Sequence, residues 1–213
     1  LIDVSGSMNQ PDKLPLLKKS FAHLVQNLRP QDRVSVVVYA SVTGVVLECT
    51  SGSAKEQIMN SINRLEPGGS TAGGAGIQHA YSLATKNFIE GGNNRVILAT
   101  DGDFNVGASS EEALVRLIRE KRDRGIYLSV LGFGTGNYQD AKMEQLADKG
   151  DGNYAYIDCL SEGQRALSSE MGGTIFTVAK DVKLQVDFNP ANVSYYRLLG
   201  YENRIMAKED FAD

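Results

Sequence analysis

Apolar positions along this chain recur in two alternating periods. From Lys13 to Leu28 they fall at Leu14, Leu17, Phe21, Leu24, Val25 and Leu28, steps of three and four that place one stripe on a helix, with Pro15 suited to its first turn. Arg33–Tyr39 (RVSVVVY) is a near-continuous β-branched run, the pattern of a strand covered on both faces. Ser41–Thr50 reads as a second strand, joined to the first by so short a link that the two should pair as an antiparallel hairpin. Helical spacing returns over Ala54–Leu65, and the Pro-Gly-Gly-Ser-Thr run from Pro67 breaks it. A third helix is predicted over Ala75–Phe88, a buried strand over Arg95–Thr100 and a helix over Ser110–Arg124. They are followed by strand Tyr127–Phe133, helix Gln139–Asp148, strand Asn153–Ile157 and helix Ser161–Gly172. Regular alternation of this kind predicts an α/β domain over residues 1–173: three layers, doubly wound, with a mainly parallel sheet and one antiparallel edge strand. Its first strand is expected to be cut short at Leu1.

The pattern changes at Thr174. Lys183–Phe188 alternates, Asn189-Pro190 turns, and Val193–Tyr201 is a further strand candidate, so residues 174–213 read as the start of a β-rich region.

Composition narrows the function classes. The 213 residues are 42% apolar and 23% charged with a net charge of −4, and no stretch approaches the ~18 apolar residues of a membrane span. Basic residues are interspersed with acids, as in Lys121-Arg122-Asp123-Arg124, which argues against a nucleic-acid partner. No basic leader with a small-residue cleavage site opens the chain. Two cysteines, Cys49 and Cys159, cannot make a disulfide framework and read as ordinary small residues. His23 and His79 fall off the apolar faces of their helices and read as surface residues.

The candidate chemistry lies at strand ends. Asp3, Ser5 and Ser7 form D-x-S-x-S directly after an apolar start, and all three are hard oxygen donors of the kind Mg²⁺, Mn²⁺ and Ca²⁺ prefer. A turn capped by the same residues is the plain alternative. Asp101 and Asp103 follow a second buried strand, and Ser70 and Thr71 sit in the glycine-rich loop, where either could cap the next helix. In an open parallel sheet such loops share the carboxyl rim where ligands bind.

Together DVSGS, GGST around Thr71 and ATDG around Asp101 resemble the metal-ion-dependent adhesion site (MIDAS) of von Willebrand factor type A domains, a Rossmann-like fold. The resemblance runs from Leu1 to about Gly172 in the order of elements as well, and the strand order it implies would put Cys49 and Cys159 near opposite edges of a six-stranded sheet, roughly 24 Å apart against a disulfide limit of about 7 Å, as two free thiols. It implies one divalent cation, Mg²⁺ before Mn²⁺ or Ca²⁺, held by Asp3, Ser5, Ser7, Thr71 and Asp101. A protein partner's Asp or Glu would complete the shell. It also implies that exchange of ligands at the metal is linked to movement of the last helix, Ser161–Gly172. ATDGDFNVG (Ala99–Gly107) and YRLLGYENR (Tyr196–Arg204) look like a bacterial subgroup with its own C-terminal region, which implies a periplasmic or surface-associated location.

Three functions follow from these readings: a non-enzymatic, cation-dependent binding or adhesion module; a structural module in which the metal braces the rim loops; and a metal-dependent phosphohydrolase using Asp101 and Asp103. The third is disfavoured because no basic residue stands out beside the other rim loops to hold a phosphate. Asp103 is otherwise expected to support the 101–107 loop.

Overall fold

A computed structural model of the chain describes residues 1–70, 73–102, 104, 111–135, 140–167 and 185–197. The chain divides into two compact units, Leu1–Phe176 and Thr177–Asp213.

The first unit is a six-stranded sheet in the order β3-β2-β1-β4-β5-β6. Its strands are β1 (Ile2–Asp3), β2 (Arg33–Tyr39), β3 (Thr43–Ser51), β4 (Asn94–Thr100), β5 (Ile126–Phe133) and β6 (Tyr154–Ile157). Every neighbouring pair is parallel except β2 and β3, the hairpin expected from the short link between them. Burial follows position in the sheet. β5, flanked on both sides, is buried along nearly its whole length, whereas β3 at the edge is largely exposed and pairs with β2 through register shifts at Val34/Val36 and Val36/Val37. β1 is short beside its seven-residue neighbours β2 and β4, and the amino group of Leu1 donates to the Ile97 carbonyl at 2.8 Å.

Among the described residues six helices cover the sheet: α1 (Leu14–Asn27), α2 (Lys55–Asn63), α3 (Gly73–Lys86), α4 (Glu111–Asp123), α5 (Asp140–Lys149) and α6 (Leu160–Arg165). Their apolar stripes build two separate cores. Leu14, Leu17, Phe21 and Val25 of α1 pack with Ile58 and Ile62 of α2 and with Ala166 and Leu167 beyond α6 on one face. Ile77 and Tyr81 of α3, Leu114 and Ile118 of α4, and Met143 and Leu146 of α5 fill the other. Each element lies within a few residues of its expected bounds. Only the first part of the last helix is described, because the remainder of Ser161–Gly172 lies outside the described residues.

Cys49 and Cys159 are free and exposed, as the strand order requires. His79 is exposed and His23 half-buried. In the second unit the expected turn is present: Asn192 and Val193 donate backbone N–H to the Asn189 carbonyl at 3.0 Å, and the rings of Phe188 and Tyr196 meet at 4.5 Å. No strand is assigned within 185–197, where no ladder partner is found among the described residues; Lys183, Leu184 and 198–213 lie outside them.

Candidate functional site

Strand order reverses between β1 and β4, so the connections that leave their carboxyl ends diverge to α1 and α4 on opposite faces of the sheet, the switch point at which open α/β sheets form a crevice. Asp3 ends β1 and Asp101 follows β4, which places the two acids on either side of it. The chain leaves β1 through a 3-10 turn, Gly6–Asn9, that brings the Ser5 and Ser7 hydroxyls within 3.0 Å of each other. The Glu66–Ser70 loop is fastened to this turn: Gly68 N–H donates to the Val4 carbonyl at 2.7 Å, and Gly6 N–H to the Gly69 carbonyl at 3.0 Å. Gly69 holds φ +80°, a left-handed conformation, and its Cβ would collide with Ser41. The loop is thus shaped to lie between the β1 turn and the β2–β3 hairpin. Ser70 is held there as well, its N–H donating to Ser41 Oγ at 2.8 Å.

Asp3 is fully buried. Its Oδ1 accepts Ser5 N–H at 2.8 Å, and its Oδ2 accepts both Tyr39 O–H and Thr100 Oγ–H at 3.1 Å. Burial raises this carboxyl above its ordinary value; the Ser5 hydrogen bonds pull it back, and the charge of Asp101 pushes it further up. Tyr39 ends β2 on the same rim, and burial, reinforced by the charge of Asp3, holds its phenol well above the usual range, so it remains a donor. Thr100 in turn accepts Gly102 N–H at 3.2 Å, which ties the residue after Asp101 back to Asp3. Phe104, 2% exposed, stacks edge-on against Tyr39 with ring centroids 5.7 Å apart and closes the floor.

The Asp101 side chain is only 3% exposed, and its Oδ2 accepts a hydrogen bond from Lys13 Nζ at 2.9 Å. This corrects the sequence reading, which saw no basic residue beside the rim. Lys13 precedes α1 and reaches the site only because the 3-10 turn folds the chain back across the crevice. The structure therefore brings Asp3, Ser5, Ser7 and Asp101 to one rim; Thr71 and Asp103 lie outside the described residues. Tyr39, Thr100 and Lys13 escaped the sequence reading. A polar residue closing a buried strand was the available signal for the first two, and no local signal marked the third.

Residues 1–170 match the von Willebrand factor type A domain. The chain belongs to the von Willebrand factor type A family. Residues 173–213 match a second family, the C-terminal region of the uncharacterized protein YfbK. YfbK of Escherichia coli (strain K12) is 49% identical over 211 residues, 99% of this chain and 37% of YfbK. The chain thus spans little more than a third of the length of that relative. Among solved structures, an aerotolerance-related membrane protein from Bacteroides fragilis superposes with TM-score 0.64 at 22% identity, covering 81% of this chain and 96% of that one. Proximal thread matrix protein 1 from the mussel byssus, with a zinc-occupied MIDAS motif, gives TM-score 0.64 at 22% identity, over 82% and 44%. At these identities the two structures establish the type A fold alone. Type A domains commonly serve as protein-interaction modules, many of them metal-dependent. Among the described residues no helix is long and apolar enough to cross a membrane.

Proposed function

We propose that this type A domain is a non-enzymatic binding module that holds one divalent cation at Asp3, Ser5, Ser7, Thr71 and Asp101 and captures a partner protein through an acidic side chain. The observation that carries the reading is charge. Two carboxylates sit at the rim with negligible exposure, close enough for one to raise the pKa of the other, and the Lys13 ammonium engages Oδ2 of Asp101. Buried like charges of this kind call for a cation.

The donor set suits a hard ion. Among the described residues this rim offers the carboxylate oxygens of Asp3 and Asp101 and the hydroxyl oxygens of Ser5 and Ser7. Mg²⁺ is the first candidate, then Mn²⁺ and Ca²⁺. Asp3 Oδ2 accepts hydrogen bonds from Tyr39 and Thr100, and Oδ1 accepts the Ser5 N–H. The hydroxyls of Ser5 and Ser7 lie 3.0 Å apart in the turn that follows Asp3. Two carboxylates and three neutral hydroxyls leave a divalent ion short of a full shell, and a partner's Asp or Glu would supply the remaining oxygen.

The phosphohydrolase alternative would need Asp101 as nucleophile, but that side chain is 3% exposed and engaged by Lys13. The bracing alternative predicts stabilisation by the cation without any partner. A bacterial envelope location is proposed from the family resemblance, with a membrane protein among the structures that share the fold.

The test is a calorimetric titration with Mg²⁺ and Mn²⁺, followed by pull-down from a bacterial lysate in the presence and absence of chelator. One site per chain is expected, abolished in Asp3→Ala, with a partner released by chelator. A saturable site that survives Asp3→Ala sinks the assignment of the ligands; a partner retained in chelator favours the bracing role.

A further inference from the structure

The Asp12-Lys13 dipeptide bridges three parts of the rim. Asp12 accepts both the N–H and the hydroxyl of Thr135 at 2.9 Å, just beyond β5, and Lys13 reaches across to Asp101 at 2.9 Å. The lysine stem lies on Gly134, where any Cβ would come within 2.8 Å of its Cγ and Cε. Lys13 keeps only 13% of its side-chain exposure, so its ammonium is aimed at Asp101 by packing and does not simply sweep through solvent. Leu14 at the start of α1 is 2% exposed, which anchors the other end of the bridge.

We propose that Lys13 is a positioning and affinity-setting residue of the cation site, which withholds the charge of Asp101 from the cation so that the ion stays electrophilic toward a partner's carboxylate. The inference rests on the cation reading above. A carboxylate whose oxygen is engaged by an ammonium has less negative charge to share with a nearby metal. The cation is then bound less tightly but keeps more uncompensated positive charge. With Lys13 neutralised, Asp101 has more negative charge to share with the cation and quenches it further. Tight cation binding and strong capture of an acid thus pull in opposite directions, and Lys13 sets the balance.

The experiment compares wild type, Lys13→Met, Lys13→Gln, Asp101→Asn and the Lys13→Met/Asp101→Asn double variant, with fold checked by circular dichroism. In Mg²⁺ titrations Lys13→Met is expected to bind about ten-fold tighter than wild type, with most of that gain lost in the Asp101→Asn background. In a second arm acetate is added to the Mn²⁺-loaded chain and displacement of water is followed by proton relaxation. Lys13→Met should need about ten-fold more acetate than wild type. Lys13→Gln keeps a polar group beside Asp101 and serves where the apolar variant folds poorly. Equal or weaker Mg²⁺ binding in the Lys13 variants, a gain that persists fully in Asp101→Asn, or unchanged acetate dependence overturns the inference. Asp3→Ala separates the two failures: if it binds Mg²⁺ as wild type does, the cation site itself has been misplaced. If neither wild type nor Lys13→Met binds, both proposals fall. Binding by Lys13→Met alone would mean that Lys13 excludes the cation from wild type, which overturns the inference.

Discussion

At the scale of single residues, Asp3 shows how a buried acid is made tolerable. It has no solvent, but three donors converge on it from three different segments: Ser5 from its own turn, Tyr39 from β2 and Thr100 from β4. Away from the rim, Asp32 illustrates the opposite balance. Burial pushes its carboxyl up, yet the backbone N–H and guanidinium of Arg29 outweigh that and hold it below the ordinary value. A carboxyl depressed by folding adds stability above its unfolded pKa and loses it as pH falls through the folded value. Asp32→Asn should therefore cost no more than about 1 kcal/mol at pH 7, given the partial exposure of the pair. The difference from wild type should close as pH drops below about 4. Thermal melts of both chains across the acid range check this; a gap that widens in acid contradicts it.

At the scale of elements, the approach of α3 to the sheet positions the site from below. Gly76 lets the helix pass so close to β2 that a Cβ would meet Tyr39 Cβ at 2.8 Å, and one at Gly73 would meet Phe104 at 2.6 Å. These glycines occupy a helix whose other buried faces carry Ile77, Ala80 and Tyr81, so the small residues answer a packing demand that propensity alone would oppose. Gly76→Ala should overpack this contact at a cost of about 1–3 kcal/mol. It should also weaken cation binding, because the displaced Tyr39 is one of the three donors that hold Asp3. Denaturant titration gives the first number and calorimetry the second. A stability loss with unchanged cation affinity would mean that Tyr39 absorbs the shift without moving its hydroxyl.

For the molecule as a whole, a ligand that binds only the folded state stabilises it by mass action. At one hundred times its dissociation constant a cation adds ~2.7 kcal/mol, which for a domain of this size raises Tm by about 5–10 °C. The rise should appear with Mg²⁺, vanish with chelator, and be absent in Asp3→Ala. A chain whose melting temperature ignores Mg²⁺ at millimolar concentration holds no such site.

The elements, their order and the class of chemistry were legible in the chain alone. They depend on local periodicity, β-branched runs and turn residues, and those signals need no distant partner: RVSVVVY and RVILAT read as buried strands wherever they stand. The acids at strand ends were equally visible, since a charge closing an apolar run is a local contrast. What only the folded chain decided is which side chains share the charge of those acids. Tyr39 lies 36 residues from Asp3, Thr100 lies 97 residues from it, and Lys13 lies 88 from Asp101. Each is brought in by sheet register and by the path of one 3-10 turn. An ion pair between groups so far apart in sequence has no periodicity to announce it, because its geometry belongs to the packing of the layers and to nothing within the segments themselves.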